Sequence, residues 1–335
     1  MADYLNPSDR LVTVFGGSGF LGRYIVRAYA RRGWRVRVAV RRPDLAHFLT
    51  PLGGVGQVQA VQANLRYPES VAAAVAGVHI VVNAAGVKTQ GGRQSFEAVH
   101  TFGSREVALA AKAAGVETLI QISGIGADAA SANGYIASKG RADAAVRDAF
   151  PDAIVFKPSV VFGPEDEFFN RFAELARLLP VLPLFGGGDV KLQPVYVGDI
   201  GLAAASAIDG MALAGKDYEL GGPQVMTLRE AMQRTLAIVE RKRSLVPLPL
   251  GISKRLAGLT ELASALTLGK FPAALATTKD QVDLLAIDNK VSDQAIAEKR
   301  TLEGLGVAAQ GFEAIAPTYL VRFRKSGQFE PSRFA

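Results

Sequence analysis

Six short apolar runs, at residues 11–15, 36–40, 57–62, 79–83, 118–123 and 154–157, punctuate the first half of the chain, with helix-period stretches between them. Most of these runs are continuous rather than alternating, which suits strands buried on both faces. Strand and helix in regular alternation predict an α/β fold, a doubly wound parallel sheet with helices on both sides. In such a sheet a ligand is expected beyond the carboxyl ends of the strands. After Gly163-Pro164 the alternation breaks. A helix-like stretch at 168–179 leads into a proline- and glycine-rich segment at 180–188, and the pieces 195–199 and 218–220 read as strands returning to the sheet. We therefore expect one domain over 1–163 and a smaller, mainly helical one over 164–335, with 189–222 partly returning to the sheet. Ile252, Leu256, Leu259, Leu262 and Leu266 recur at helical spacing between Lys254-Arg255 and Lys270. Most such stripes are buried on their own domain, which is the reading adopted here; for a basic amphipathic helix the alternative is a membrane surface or a partner.

The 335 residues are 49% hydrophobic and 21% charged, enough to bury a large core. There is no cysteine, which excludes disulfides, thiolate metal sites, iron–sulfur clusters and cysteine nucleophiles. Any electron transfer must then pass through a bound organic cofactor. The three histidines, His47, His79 and His100, lack a metal-ligand spacing and read as surface or core residues, so no metal is expected. A formal charge of +7 suits nucleic acid, an anionic membrane or an anionic cofactor equally. The basic residues are scattered apart from Arg31-Arg32, Arg41-Arg42, Arg241-Lys242-Arg243 and residues 322–325, and no nucleic-acid module accompanies them, so nucleic acid is not expected as a partner. Met1-Ala2-Asp3-Tyr4 shows neither a signal nor a transit peptide, and the apolar stretch 71–87 is too short and too interrupted to cross a bilayer, so no transmembrane helix is expected.

The first apolar run ends in Gly16-Gly17-Ser18-Gly19-Phe20-Leu21-Gly22 and opens into an amphipathic stretch. Glycines one, four and seven of this turn allow a tight bend, close approach of a pyrophosphate to the main chain, and close packing of helix on sheet. The N–H groups of the helix start then face the anion. The context of strand, turn and helix makes this a dinucleotide-binding turn of Rossmann type. Where an acid would hold the ribose 2′-hydroxyl of NAD(H), the second run is followed by Arg41-Arg42, whose guanidinium groups attract a 2′-phosphate. NADP(H) is therefore expected as the cofactor in preference to NAD(H). Asn64-Leu65 after the third run would border the adenine. Ala84-Ala85-Gly86 after the fourth are small enough to let the cofactor's sugar and phosphate lie close.

Tyr135 and Lys139 are four residues apart and share a helix face, the geometry of an acid–base pair. A free tyrosine titrates near pH 10, so Tyr135 needs a neighbouring cation to move a proton at neutrality, and Lys139 is placed to provide it or to hold the cofactor ribose. With these residues the chain resembles the extended, epimerase-like branch of the short-chain dehydrogenase/reductase superfamily, from Gly16 through Tyr135 and Lys139 to Gly163-Pro164. It departs from the catalytic pattern in Ile122-Ser123-Gly124-Ile125-Gly126, where Ile125 occupies the position of the family's Ser or Thr. Ser123 is expected to face the cofactor from the strand end instead. The missing hydroxyl puts turnover in doubt.

The segment 146–166, with Lys157-Pro158-Ser159 and Phe162-Gly163-Pro164-Glu165-Asp166, is similar to the NADPH-binding accessory subunits of respiratory complex I, NADH:ubiquinone oxidoreductase. That resemblance implies tightly held NADPH, a structural or regulatory role, contacts with complex I subunits or with anionic lipid, and cofactor contacts from Lys157, Pro158 and Ser159. It also implies a bacterial relative in the cytoplasm or on the cytoplasmic face of the inner membrane. The alternative is an active NADPH-dependent reductase or epimerase acting on a hydrophobic, quinone- or isoprenoid-related substrate, with Tyr135 as the acid.

Overall fold

The computed structural model describes residues 9–266, 279–325 and 327, and for 261–266 and 279 the backbone alone. The chain divides into two compact units, each assembled from three stretches. The first takes the residues up to Pro158, Val197–Leu220 and Val291–Ala309. At its centre strands β1 (Leu11–Phe15), β2 (Arg35–Val40), β3 (Val58–Gln62), β4 (Ile80–Asn83), β5 (Thr118–Ile122) and β6 (Ile154–Pro158) lie in the order β3-β2-β1-β4-β5-β6. Asp217–Leu220 pairs parallel to β6 as a seventh strand, and every neighbouring pair in the sheet is parallel. All six apolar runs of the sequence are thus strands. The strand order reverses between β1 and β4, the point at which doubly wound sheets open a crevice.

Helices α1 (Phe20–Arg31), α2 (Pro68–Val75), α3 (Phe102–Ala113) and α4 (Gly134–Ala149) lie between the strands, α3 packing on α2 and α4. On α1 sits the helix Val197–Ser206, so close at Gly201 that a Cβ there would lie 2.7 Å from the Tyr24 carbonyl. Buried Tyr29 donates its hydroxyl to the Ala204 carbonyl at 2.8 Å. The return to the sheet therefore differs from the expected one. Of 195–199 only Val195–Tyr196 is extended, pairing with Val161–Phe162 in the second unit, and Val197 already begins a helix. The seventh strand is braced by the 291–309 stretch, which the sequence pattern alone assigns to the smaller domain. Glu219 N–H donates to the Arg300 carbonyl, Ser292 N–H donates to the Glu219 carboxylate, and the Arg300 guanidinium donates to the Asp217 carbonyl.

The second unit comprises Ser159–Tyr196, Gly221–Lys290 and the residues from Gln310. One of its cores is aromatic, around Phe162, Phe169 and Phe312; the other is aliphatic, around Leu182, Leu184 and Leu228. The carboxylate of Asp166 accepts the N–H groups of Gly163, Phe169 and Asn170 and the hydroxyl of Tyr319, so it starts the helix Phe168–Leu178 and ties it to the helix Phe312–Leu320. Val181–Phe185 and Ser244–Leu248 form a parallel two-stranded ribbon. The helix Leu250–Leu266 that follows does not bury the stripe read from the sequence. Among its described side chains Ser253 and Ala257 are buried, while Ile252, Leu256 and Leu259 are 54%, 41% and 64% exposed. Leu262, Leu266 and Lys270 lie outside the residues whose side chains are described. Among the described residues no helix is long and apolar enough to cross a membrane.

Candidate dinucleotide site

β1 delivers the chain into Gly16 at φ +69°, a left-handed conformation that costs glycine nothing. A Cβ on Gly16 would lie 2.8 Å from the Ala85 backbone, so the turn abuts the end of β4 directly. At Gly22 a Cβ would stand 2.2 Å from the Gly16 carbonyl oxygen, and this glycine is what lets α1 start against the turn. No side chain caps α1 at Gly19 and no acidic residue occupies its first turn. The N–H groups of Phe20, Leu21 and Gly22 therefore point, with the positive end of the helix, to where an anion would sit. Arg23, one turn along, donates to the Ser18 and Gly19 carbonyls and lies over the ring of Phe48. On the β4 side, the buried amide of Asn83 donates to Ser104 and Gln121, and its carbonyl oxygen accepts the Ala85 N–H at 3.2 Å, fixing the Ala84-Ala85 bend.

Beyond β2 a hollow of about 450 Å³ is lined by Ser18, Val40, Arg41, Arg42 and Leu45. The two arginines differ. Arg42 is clamped to Asp44 by three hydrogen bonds of 2.6–3.2 Å. These bonds hold the Asp44 carboxyl below its usual range and raise the guanidinium's. Arg41 is exposed and makes no hydrogen bond or ion pair among the described residues, which leaves its charge available to a ligand. Sequence reasoning weighed the arginine pair and missed the acid beside it.

Asn133 starts α4 by accepting the N–H groups of Tyr135 and Ile136 at 3.1 Å. This puts Tyr135 in the first turn, with Lys139 one turn on. The ammonium of Lys139 donates to the Ile122 carbonyl at the end of β5 and lies beside Gly86, where a Cβ would be 3.6 Å from Nζ. The Tyr135 phenol is half-buried and has no hydrogen-bond partner among the described residues. Behind both stands His100, read from the sequence only as a surface or core residue. Its Nε2 accepts the Val87 N–H at 3.0 Å, so the ring proton lies on Nδ1 and is donated to Ser138 Oγ at 2.8 Å, which in turn donates to the Tyr135 carbonyl. Phe96 stacks on the imidazole, and Tyr135 meets both rings edge-on. Burial first, and then the charge of Lys139, push His100 down to about 3, so the imidazole is neutral at any ordinary pH. This chain of contacts ties the loop after β4 to the first turns of α4.

Six further residues expected at the cofactor have partners inside the protein. Ser123, expected to face the cofactor, is buried and donates to Asp143 at 2.7 Å. Lys157 pairs with Asp217 at 2.6 Å and stands 3.8 Å from Asp143. Burial raises the Asp143 carboxyl, the Ser123 hydroxyl opposes that rise, and the carboxyl's Oδ1 is buried without a partner. Ser159 belongs to the second unit, where it donates to Asn289. Pro158 accepts the Ile125 N–H at 3.1 Å and so shapes the loop after β5. Asn64 accepts the Arg66 N–H, and Leu65 packs against Gly103 and the core, which makes both supports of the bend after β3. The strand-to-helix contexts gave the glycine turn away; the Ser123–Asp143–Lys157–Asp217 group, buried at Ser123 and Asp143 and half-buried at Lys157 and Asp217, carries no local signature and needed the fold to assemble it.

A glycine turn at the switch point of a parallel sheet, an uncapped helix start and a Tyr-Lys pair on α4 define an NAD(P)H-binding protein of short-chain dehydrogenase/reductase type. A family model described as NAD(P)H-binding matches residues 16–161. Over 324 residues the chain is 32% identical to "NADH dehydrogenase [ubiquinone] 1 alpha subcomplex subunit 9, mitochondrial" of Arabidopsis thaliana, covering 96% of this chain and 79% of that protein. The chain belongs to the family of that subunit, an atypical NAD(P)H-binding branch of the superfamily. A ceramide reductase of Caulobacter vibrioides is 35% identical over 174 residues, 52% of this chain and 53% of that one. Among solved structures, the crystal structure of gox2253 matches 96% of this chain and 99% of its own with a TM-score of 0.70 at 22% identity, a likeness of fold.

Proposed function

We propose that this protein holds NADP(H) in the crevice between β1 and β4 and serves as an accessory subunit of complex I rather than as an enzyme with appreciable turnover. The observation that carries the cofactor choice is the hollow beside Ser18 in which Arg41 has no partner among the described residues while Arg42 is committed to Asp44. The pyrophosphate belongs against Gly16, Ser18, Gly19, Phe20, Leu21 and Gly22, where a Cβ on Gly16 or Gly22 would collide with backbone and no side chain competes for the helix start. The 2′-phosphate belongs at Arg41, and the sugar and nicotinamide side at Ala84, Ala85, Gly86, Tyr135 and Lys139. Ile125 in place of a hydroxyl leaves Tyr135 without the second donor that would polarise a carbonyl. The family relationship supports association with complex I.

Calorimetric titration tests the cofactor assignment. Arg41→Ser is expected to weaken NADPH about tenfold or more, the scale of one charge-assisted hydrogen bond, and to leave NADH unchanged. Equal losses for both would sink it. The accessory role predicts co-migration with complex I when gently solubilised membranes of the native host are run on a native gel.

The intact Tyr135–Lys139 pair and the ceramide reductase relative favour a second reading, an NADPH-dependent reductase of a hydrophobic carbonyl substrate. NADPH supplies a hydride when bound; Tyr135 would give the proton, with Lys139 tuning the phenol. That activity must vanish in Tyr135→Phe.

A further inference from the structure

We propose that the second unit carries a docking surface for anionic phospholipid, formed by the outer face of the Val181–Phe185/Ser244–Leu248 ribbon, the exposed face of the Leu250–Leu266 helix, and the basic hollow at Arg241-Lys242-Arg243. It does not rest on the dinucleotide reading, which concerns the other unit.

The ribbon has two unlike faces. Side chains alternate along a strand, and Leu182, Leu184 and Leu245 turn inward to the aliphatic core. Val181, Pro183 and Val246 are left on the other face, with Val181 43% and Val246 41% exposed. A soluble surface strand ordinarily places polar residues there. The apolar character continues past the ribbon's far end. Leu250 meets Gly186, and Ile252, Leu256 and Leu259 then recur at i, i+4 and i+7 on an exposed face about a third of a turn round the helix from buried Ser253 and Ala257. This is a helix whose small residues pack inward and whose large ones face out.

Cations border the apolar face at both ends. At the near end of the ribbon, Arg241, Lys242 and Arg243 line a hollow of about 460 Å³ with Pro180, Gln233, Leu236 and Ser244, and among the described residues no carboxylate shares its wall. The guanidinium groups are held in place, Arg241 by the Phe323 carbonyl and Arg243 by the Ala176 carbonyl. Burial and the charges of Arg243 and Arg177 lower the affinity of Arg241 for its own proton, a crowding of like charge that an anion relieves. Lys254 and Arg255 stand at the far end, Lys254 paired with Asp283. Five residues of strand put roughly 17 Å between the hollow and the helix start. An apolar strip flanked by cations over that distance matches an anionic bilayer, which takes the apolar side chains below its headgroups and places phosphates beside the arginines. An acidic protein would answer the cations and leave the leucines in water.

The test is flotation of the full chain with vesicles of phosphatidylcholine alone or with a quarter phosphatidylglycerol. Binding is expected to the phosphatidylglycerol vesicles, to fall as salt rises, and to be at least tenfold weaker on phosphatidylcholine. Each basic side chain at such a surface strengthens binding about fivefold, so Arg241→Ala, Lys242→Ala and Arg243→Ala together should cost about a hundredfold. Ile252→Glu with Leu259→Glu should abolish binding. Ile252, Leu259 and Lys242 are exposed and Arg241 and Arg243 are half-buried, so an unaltered melting temperature is required of each variant to confirm that it is folded. Failure to bind phosphatidylglycerol vesicles, equal binding to both vesicle types, or unaltered binding by both folded variants overturns the proposal, whatever the protein does with NADPH. Capture of purified complex I in place of vesicles overturns it in favour of a protein interface.

Discussion

Replacing His100 with phenylalanine keeps a ring to stack on Phe96 and deletes both nitrogens, so it isolates what the imidazole contributes electrically. At pH 7 the variant loses the acceptor for the Val87 N–H and the donor to Ser138. Two such hydrogen bonds are worth about 1–2 kcal/mol of stability. The pH dependence is the sharper quantity. Unfolded, the imidazole titrates at its ordinary 6.5; folded, it stays neutral until about 3. Between those values the unfolded chain binds a proton that the native one does not, so native stability is full above pH 6.5 and declines as pH falls towards 3. Over the interval from pH 7 to pH 5 the loss from this one group is about 2 kcal/mol. His100→Phe cannot suffer it. The stability advantage of the wild type at pH 7 should therefore vanish by pH 5. Urea unfolding followed by the fluorescence of Trp34, the single tryptophan, reports on the same unit. Contributions from the buried carboxylates of Asp143 and Asp166 are common to both proteins and cancel in the difference. Wild-type and variant stabilities that stay a constant distance apart from pH 7 to pH 5 would refute the neutral, buried assignment.

Two further changes probe other parts of the structure. Asp44→Ala frees Arg42 from its clamp, and NADPH affinity should rise severalfold by titration while NADH affinity stays level; a drop for NADPH would show that Asp44 organises the hollow instead. Asp166→Ala strips an acceptor from three N–H groups and the Tyr319 hydroxyl, and should lower the stability of the second unit by about 3 kcal/mol in denaturant unfolding, against less than about 1 kcal/mol if the site is solvated.

The alternation of apolar runs and helix-period stretches was enough to place β1 to β6, because buried parallel strands cannot hide their continuous Val and Ile content. The glycine turn was legible for a related reason, since its constraints are local: strand, bend, helix start. What escaped the sequence lies in contacts between distant segments. Nothing near Ser123 announces Asp143, and nothing near His100 announces Val87 or Ser138, because the partners meet only once the sheet is assembled. The Lys157-Pro158-Ser159 and 162–166 motifs marked the family correctly, yet Lys157, Ser159 and Asp166 are engaged in ion pairing, a link to Asn289 and helix capping. The exposed leucine stripe reversed the expected burial because small Ser253 and Ala257 fit the inner side of that helix, a preference that periodicity alone does not reveal.

The interleaving of the two units has a consequence for how the protein is made. Synthesis proceeds from one end, and β1 to β6 leave the ribosome first. The seventh strand is not available until residue 220 has emerged, and the 291–309 stretch that braces it follows some seventy residues later. From residue 158 until residue 220 the nascent sheet thus shows an open edge at β6, the kind of edge that invites pairing with other chains, and from 220 until 309 its last strand lacks its brace. The intervening residues 221–290 must form their own unit in the meantime. A chain interrupted between residues 220 and 309 would carry the whole glycine turn and all seven strands and still lack the brace on the last of them, and that unbraced edge is what a chaperone or protease would meet.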